Sequence, residues 1–168
     1  MVRVQPFLLY GWVTVAAIGP DWFQKELIVE MTNREIGRIG LSMAINYFTI
    51  KGYTISLPLN DTQWYDMVVE KDKKFYTVQC KGTQTEDGTI HLRSCGGTKG
   101  EEYDNIINHP ELDYVFAVNK DLECWLIPVD AIIKSGNTKS IQLRNTLSAY
   151  AHPKLDTTIY RVQISDEA

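Results

Sequence analysis

Between Asp66 and Lys81 the chain carries a carboxylate, a carboxamide and an amine at spacings that can bring them to one end of a strand pair. The run reads Asp-Met-Val-Val-Glu, then the polar turn Lys71-Asp72-Lys73-Lys74, then Phe-Tyr-Thr-Val-Gln-Cys-Lys. Two short strands joined by such a turn form a hairpin. Antiparallel pairing across that turn sets Glu70 opposite Phe75, Val68 opposite Thr77 and Asp66 opposite Gln79. Side chains two apart share a strand face, so Lys81 points the way Gln79 does. An acidic oxygen, an amide oxygen and an ammonium gathered there could hold a hard metal ion against a phosphate and direct water at it. Taken singly, Asp66 reads as a turn or solvent residue and Lys81 as a solvated charge. The combination matters because Val68, Val78 and Cys80 make both strands half buried. Polar groups left unpaired in such a setting cost about 1–3 kcal/mol each.

Several elements must position this hairpin. Thr32 and Asn33 are good N-caps and Glu35 lies in the first turn of a helix. Ile36, Ile39, Met43, Ala44, Tyr47 and Phe48 follow at helical spacing, and Lys51-Gly52 stops the helix. Tyr53 to Leu57 reads as a strand ended by Pro58. After the hairpin, the turn Glu86-Asp87-Gly88 introduces Thr89 to Arg93, expected as a third hairpin strand. Cys95 to Gly100 holds three glycines and is expected to be mobile. Glu101 to Asn108 reads as a short helix ended before Pro110. Tyr114 to Asn119 and Leu122 to Ile127 form a hairpin across Lys120-Asp121. Val129 to Lys134 reads as one or two helical turns, and Ser140 to Leu143 and Thr157 to Ile164 as strands. This order predicts an α/β (α+β) domain with a mixed central sheet flanked by helices.

The 168 residues suit one domain, and 44% hydrophobic content supports a sizeable core. A net charge of -4 and a pI near 5.4 argue mildly against a strong general affinity for nucleic acid, though not against a local basic groove. Cys80, Cys95 and Cys124 lack the Cys-x-x-Cys spacing of a zinc site and read as reduced thiols in a cytoplasmic protein. Phe7 to Ile18 is apolar but too short to cross a membrane, and a single Arg precedes it. Residues 1–30 are therefore expected to be a peripheral or dispensable extension, with Met31 a candidate internal start and 31–168 the working domain.

The run Ile36-Gly37-Arg38-Ile39-Gly40, then Gly52 to Pro58, Tyr65-Asp66 and Val78-Gln79-Cys80-Lys81 resembles the PD-(D/E)XK nucleases. It is most similar to the branch that holds archaeal Holliday-junction resolvases and a cyanobacterial group I intron-encoded homing endonuclease. The likeness to the latter runs over residues 31–135 and includes Cys124-Trp125-Leu126-Ile127-Pro128. It implies a restriction-endonuclease-like fold, Asp66 as main metal ligand, Gln79 where the family has Asp or Glu, the Cys80 carbonyl as a further ligand, and Lys81 as the motif lysine. The catalytic set would be Asp66, Gln79 and Lys81, working with Mg²⁺ on double-stranded DNA. Lys81 would orient or deprotonate water, or offset developing charge.

Two positions depart from that pattern. Gln79 ligates without contributing charge, which weakens Mg²⁺ binding. The position after Gly40 is normally a Glu, and here it is Leu41. Glu35 lies about 240° around the helix from Leu41 and is no obvious substitute. Either one carboxylate suffices with phosphates and waters, or Leu41 inactivates the site, or Leu41 is simply an apolar residue packing on the sheet.

One site per subunit cuts one strand, so double-strand cleavage predicts a homodimer or homotetramer. Thr89 to Arg93, with the turn from Gln84, could enter the major groove as a ribbon, Arg93 and Gln84 reading base edges. Lys73, Lys74, Lys99, Lys134, Lys139 and Arg144 are candidate phosphate contacts. His91, His109 and His152 show no ligand spacing. Trp12, Trp22, Trp64 and Trp125 read as packing residues. The alternatives are a junction-resolving nuclease and a catalytically impaired DNA-binding module of the same fold.

Overall fold

In a computed structural model the described residues are 32–60, 62–94, 104–137, 139–146 and 154–164. The chain divides into two units, Met1–Glu30 and Met31–Ala168, and the described residues lie in the second. None of the described helices is long and apolar enough to cross a membrane.

Helix α1 spans Asn33–Ile50. A capping box starts it: the Glu35 amide donates to Thr32 Oγ1 at 3.3 Å, and the Thr32 amide donates to the Glu35 carboxylate at 2.6 Å. Lys51 is the C-cap, and Gly52 leaves the helix with a φ of +75°. Strand β1, Thr54–Ser56, pairs antiparallel with β2, Met67–Lys71, which pairs antiparallel with β3, Lys74–Gly82. Asp72 and Lys73 turn this hairpin with φ of 54° and 62°. Positive φ at both central residues is the two-residue turn whose twist suits antiparallel strands, and it fixes the register that sets Glu70 against Phe75.

Strand β3 then pairs parallel with β7, Tyr114–Val118, and β7 pairs antiparallel with β8, Cys124–Pro128. The short β10, Arg161–Val162, completes a six-stranded mixed sheet in the order β1-β2-β3-β7-β8-β10. Helix α1 covers one face with Ile36, Ala44 and Phe48 against Met67, Val69, Val78, Phe116 and Val118. The opposite face, with Val115, Ala117, Trp125 and Ile127, packs under Ile90, Leu92, Ile106, Leu112, Ile132 and Ile141. Ile132 belongs to helix α2, Val129–Lys134.

Some expected elements differ. Thr89–His91, β4, does not extend the Asp66 hairpin: it pairs with β9, Ser140–Gln142, in a separate two-stranded sheet. Arg93–Ser94, β5, pairs instead with β6, Asp104–Asn105. Gly88 (φ +68°) accepts the Leu143 amide at 2.9 Å, and Leu92 donates its amide to the Lys139 carbonyl at 2.9 Å, so this segment is bonded to the β9 region. Where a helix was expected to reach Asn108, the described residues form β6 and one 3₁₀ turn, Ile106–Asn108. The Asn105 side chain accepts the Ile107 amide at 3.2 Å and starts that turn, which ends two residues before Pro110. Residues 157–164 give a 3₁₀ turn, Thr158–Tyr160, and only the two residues of β10. Cys95–Gly100 and Lys99 lie outside the described residues.

Candidate active site

The β2–β3 ladder ends at Met67 against Val78, and the Asp66 amide donates to the same Val78 carbonyl at 2.9 Å, so the strict register that would set Asp66 opposite Gln79 is not kept and the chain bulges there. Asp66 Oδ2 accepts the Cys80 amide at 2.6 Å and Gln79 Nε2 at 2.6 Å. The same Nε2 lies 3.3 Å from the Cys80 carbonyl oxygen. Gln79 is only 8% exposed, so its amide needs these partners. The amide orientation follows from its neighbours, because both are lone-pair oxygens and only the NH₂ can satisfy them.

Gln79 pairs with Val115 and Lys81 with Ala117, two residues of the core opposite α1. Gln79 and Lys81 therefore share that sheet face, and the bond from Gln79 Nε2 to Asp66 Oδ2 ties the Asp66 carboxylate to it. Lys81 Nζ donates to the Arg93 carbonyl at 3.0 Å. Cys80 points the other way, toward α1. Burial, and then the charge of Asp66, push the Cys80 thiol well up, with Lys81 opposing. The sulfur stays protonated, so the ligand chemistry of Cys80 lies in its carbonyl oxygen.

Helix α1 reaches this end of the sheet from the far side. A Cβ on Gly82 would lie 2.8 Å from the Ile36 carbonyl oxygen, and one on Gly40 would lie 3.7 Å from the Lys81 carbonyl oxygen. Glycine at 82 lets helix and strand approach where the motif ends. Leu41 is half buried and packs into the apolar layer under α1, on the face opposite Asp66 and Gln79.

The expected DNA contacts do not gather. Lys73 and Lys74 sit at the hairpin tip, five register steps from Asp66, or about 16 Å at strand rise. Lys134 is paired with Asp130 at 3.2 Å. Arg144 folds back on Gln142 and has its Nε buried without a hydrogen-bond partner. Arg93, on β5, and Lys139, just before β9, are exposed. Gln84 lies on a groove of 470 Å³ that begins at Lys81 and runs past Thr85 to His91, and its Nε2 is buried and unpartnered. Asp66 borders a second hollow, of 270 Å³, with Pro58, Asn60, Gln63 and Tyr65.

One site contact was missed in the sequence. The Trp64 ring stacks on His109 with centroids 3.7 Å apart and an interplanar angle of 20°. The two residues are far apart in the chain, and neither periodicity nor motif spacing links them.

Asp66 just before β2, hydrogen-bonded to the Gln79-Cys80 stretch of β3, and a helix packed close at Gly82 lie on one mixed sheet. The PD-(D/E)XK endonuclease family matches residues 31–163, and the chain belongs to that family. Among solved structures, a bacterial homing endonuclease, I-Ssp6803I, is similar to this chain with a TM-score of 0.59 and 19% identity, over 78% of this chain and 89% of that one. This likeness is one of fold. None of the curated proteins compared matches the chain.

Enzymes of this family generally depend on a divalent metal. Among the described residues no group of three or more His, Cys, Asp and Glu side chains could hold one. The oxygens that are present fit such an ion in kind: the Asp66 carboxylate, the Gln79 amide oxygen and the Cys80 carbonyl are all hard donors. They carry one negative charge, and Gln79 must turn its Oε1 inward to join them.

Proposed function

We propose that this chain is a Mg²⁺-dependent, site-specific endonuclease of the homing type that hydrolyses phosphodiester bonds of double-stranded DNA. The observation that carries this reading is the Asp66–Gln79–Cys80 cluster, in which Asp66 lies within hydrogen-bond reach of Gln79 and Cys80 on the strand that also carries Lys81, in a chain of this family. Asp66, the Gln79 amide oxygen and the Cys80 carbonyl would hold Mg²⁺. When bound, the ion lowers the pKa of a coordinated water and offsets charge at the phosphorus. Lys81, on the same sheet face as Gln79, would orient the attacking water or neutralise the phosphoryl oxygens.

The DNA path that fits this centre runs from Lys81 along the groove of Gln84 toward Arg93 and Lys139, with Arg144 beyond it. Lys73 and Lys74 at the far hairpin tip, with Lys99 and Lys134, are left as outlying phosphate contacts. Cutting both strands calls for two copies of the site, supplied by a homodimer or homotetramer working in the cytoplasm.

One observation favours the impaired-module reading: Leu41 turns its side chain into the apolar layer and adds no ligand. Substrate choice separates the readings. The purified chain with Mg²⁺ is given plasmids carrying candidate intron insertion sites, a random-sequence duplex and an unrelated four-way junction. Cleavage of one site alone supports the homing reading. Sequence-independent cleavage of the junction supports the resolvase reading. Tight binding with no cleavage of any of them supports the impaired module.

A further inference from the structure

We propose that Trp64 and His109 are positioning residues that hold the Asp66 carboxylate within hydrogen-bond reach of Gln79 and Cys80; their value for metal binding rests on the nuclease reading above. Asp66 sits at the end of an exposed crossing. Leu57 and Leu59 are 51% and 106% exposed, and Asn60, Thr62 and Gln63 are exposed as well. A loop with so little buried surface does not by itself fix the side chain that follows it. Trp64 lies two residues before Asp66 and is half buried against the His109 ring. A near-parallel stack at 3.7 Å gives the loop a directional anchor just before the carboxylate.

That anchor has a firm base. His109 donates its backbone amide to the Ile106 carbonyl at 3.3 Å, and the Leu112 amide donates to the His109 carbonyl at 3.0 Å. Ile106 is fully buried and Leu112 nearly so. His109 Nδ1 also lies 3.3 Å from the Glu111 carboxylate, which fixes the ring plane. The same segment is tied to β3. The Thr77 amide donates to the Asp113 carboxylate at 2.8 Å, the Asp113 amide donates to Thr77 Oγ1 at 3.0 Å, and Thr77 Oγ1 donates to the Glu111 carbonyl.

Thr77 is two residues before Gln79 on the same strand face. Segment 109–113 therefore bridges the two halves of the site. One end grips β3 beside Gln79, and the other grips the loop beside Asp66. Partners of this kind, which touch no metal themselves, change metal affinity by about 10- to 100-fold when removed.

The test uses the full chain, ¹⁵N-labelled, as the parent and as Trp64→Ala, Trp64→Phe and His109→Ala. The Cys80 amide reports the Asp66 carboxylate directly and needs no metal, since it donates to Oδ2. The expected result is an upfield shift and faster exchange of the Cys80 amide in Trp64→Ala and His109→Ala, with the Phe116 amide in the buried strand unmoved. Mg²⁺ affinity by calorimetry falls about tenfold in both. Trp64→Phe, which keeps a ring on His109, recovers most of each effect. A Cys80 amide that stays put in Trp64→Ala and His109→Ala overturns the proposal, and so does a Cys80 amide that moves with Mg²⁺ affinity unchanged from a parent that binds the ion. A parent that neither binds Mg²⁺ nor cuts DNA, while Cys80 still shifts in the variants, sinks the nuclease reading and leaves the clamp on Asp66 standing.

Discussion

The carboxamide of Gln79 points its nitrogen, not its oxygen, at Asp66: Nε2 donates to Oδ2 at 2.6 Å and reaches the Cys80 carbonyl at 3.3 Å. The NH₂ group supplies the positive end that keeps these two oxygens together. A bound divalent ion would take that place, and the amide would turn to present Oε1. Gln79 thus bridges Asp66 and the Cys80 carbonyl in a way that a second carboxylate cannot.

Replacement of Gln79 by Glu should reverse that balance. Two carboxylates at this distance repel when both are ionised. Metal-free Gln79→Glu should melt below the parent at pH 8 and regain stability at pH 5, where protonation removes the repulsion. Its Mg²⁺ affinity should rise about tenfold, one added charge at this range being worth about 1–2 kcal/mol. Calorimetry and melting curves at the two pH values check both halves. A Gln79→Glu protein that binds Mg²⁺ no better than the parent contradicts the assignment of Gln79 as a ligand.

Leu41 should not accept a carboxylate quietly. Leu41→Glu places the acid in the apolar layer between α1 and the sheet. It should lower unfolding free energy by about 1–3 kcal/mol at pH 8. Burial raises such a carboxyl, so the loss should shrink as the pH falls to 5 and the group becomes neutral. Urea titration at the two pH values measures it. An unfolding curve that does not move at either pH contradicts the packing of Leu41.

Two glycines near the site should respond in opposite directions. At Gly82 a Cβ meets the Ile36 carbonyl oxygen at 2.8 Å and Cγ1 at 2.9 Å, so Gly82→Ala must push α1 off β3 and cost about 1–3 kcal/mol. At Gly37, inside α1, a Cβ meets nothing within 4 Å, and Gly37→Ala should stabilise by about 0.5–1 kcal/mol. Denaturant midpoints of the two variants should fall on either side of the parent's.

Hairpin and helix were legible because their determinants are local. The register from Lys71 against Lys74 to Met67 against Val78 follows from a two-residue turn, and the start of α1 from Thr32 and Glu35 within one turn; the bulge at Asp66 lies beyond what that turn fixes. The partner of Thr89–His91 was not legible, because β9 lies some fifty residues on and nothing in the turn at Gly88 names it. The helix expected up to Asn108 misled for a related reason. Apolar Ile106 and Ile107 satisfy a short helical pattern, but tertiary burial of Ile106 and the Asn105 cap select a single 3₁₀ turn. The composition of the candidate site could be read from the chain. The direction of the Gln79 amide and the Trp64–His109 stack could not, since both depend on groups brought together by folding.

Thiol chemistry gives an independent check on the site's surroundings. Burial, and then the neighbouring Glu123 charge, push the Cys124 thiol up to about 11, and Cys80 is also well above the ordinary thiol range. At pH 8 both should stay protonated and resist iodoacetamide in the folded protein, then react in denaturant. Reactivity of Cys124 should rise only as the pH approaches 11. Peptide mapping after labelling reads both sites. Rapid modification of Cys80 at pH 8 would mean that β3 is more open beside Asp66 than its packing indicates.

The most direct measurement of the central claim is Mg²⁺-dependent cleavage of duplex DNA by the parent chain beside Asp66→Ala, with folding of both checked by circular dichroism. The account predicts cutting by the parent that EDTA abolishes, and a fall of at least about 100-fold in the folded Asp66→Ala protein. Cleavage at the parent rate by Asp66→Ala would contradict it.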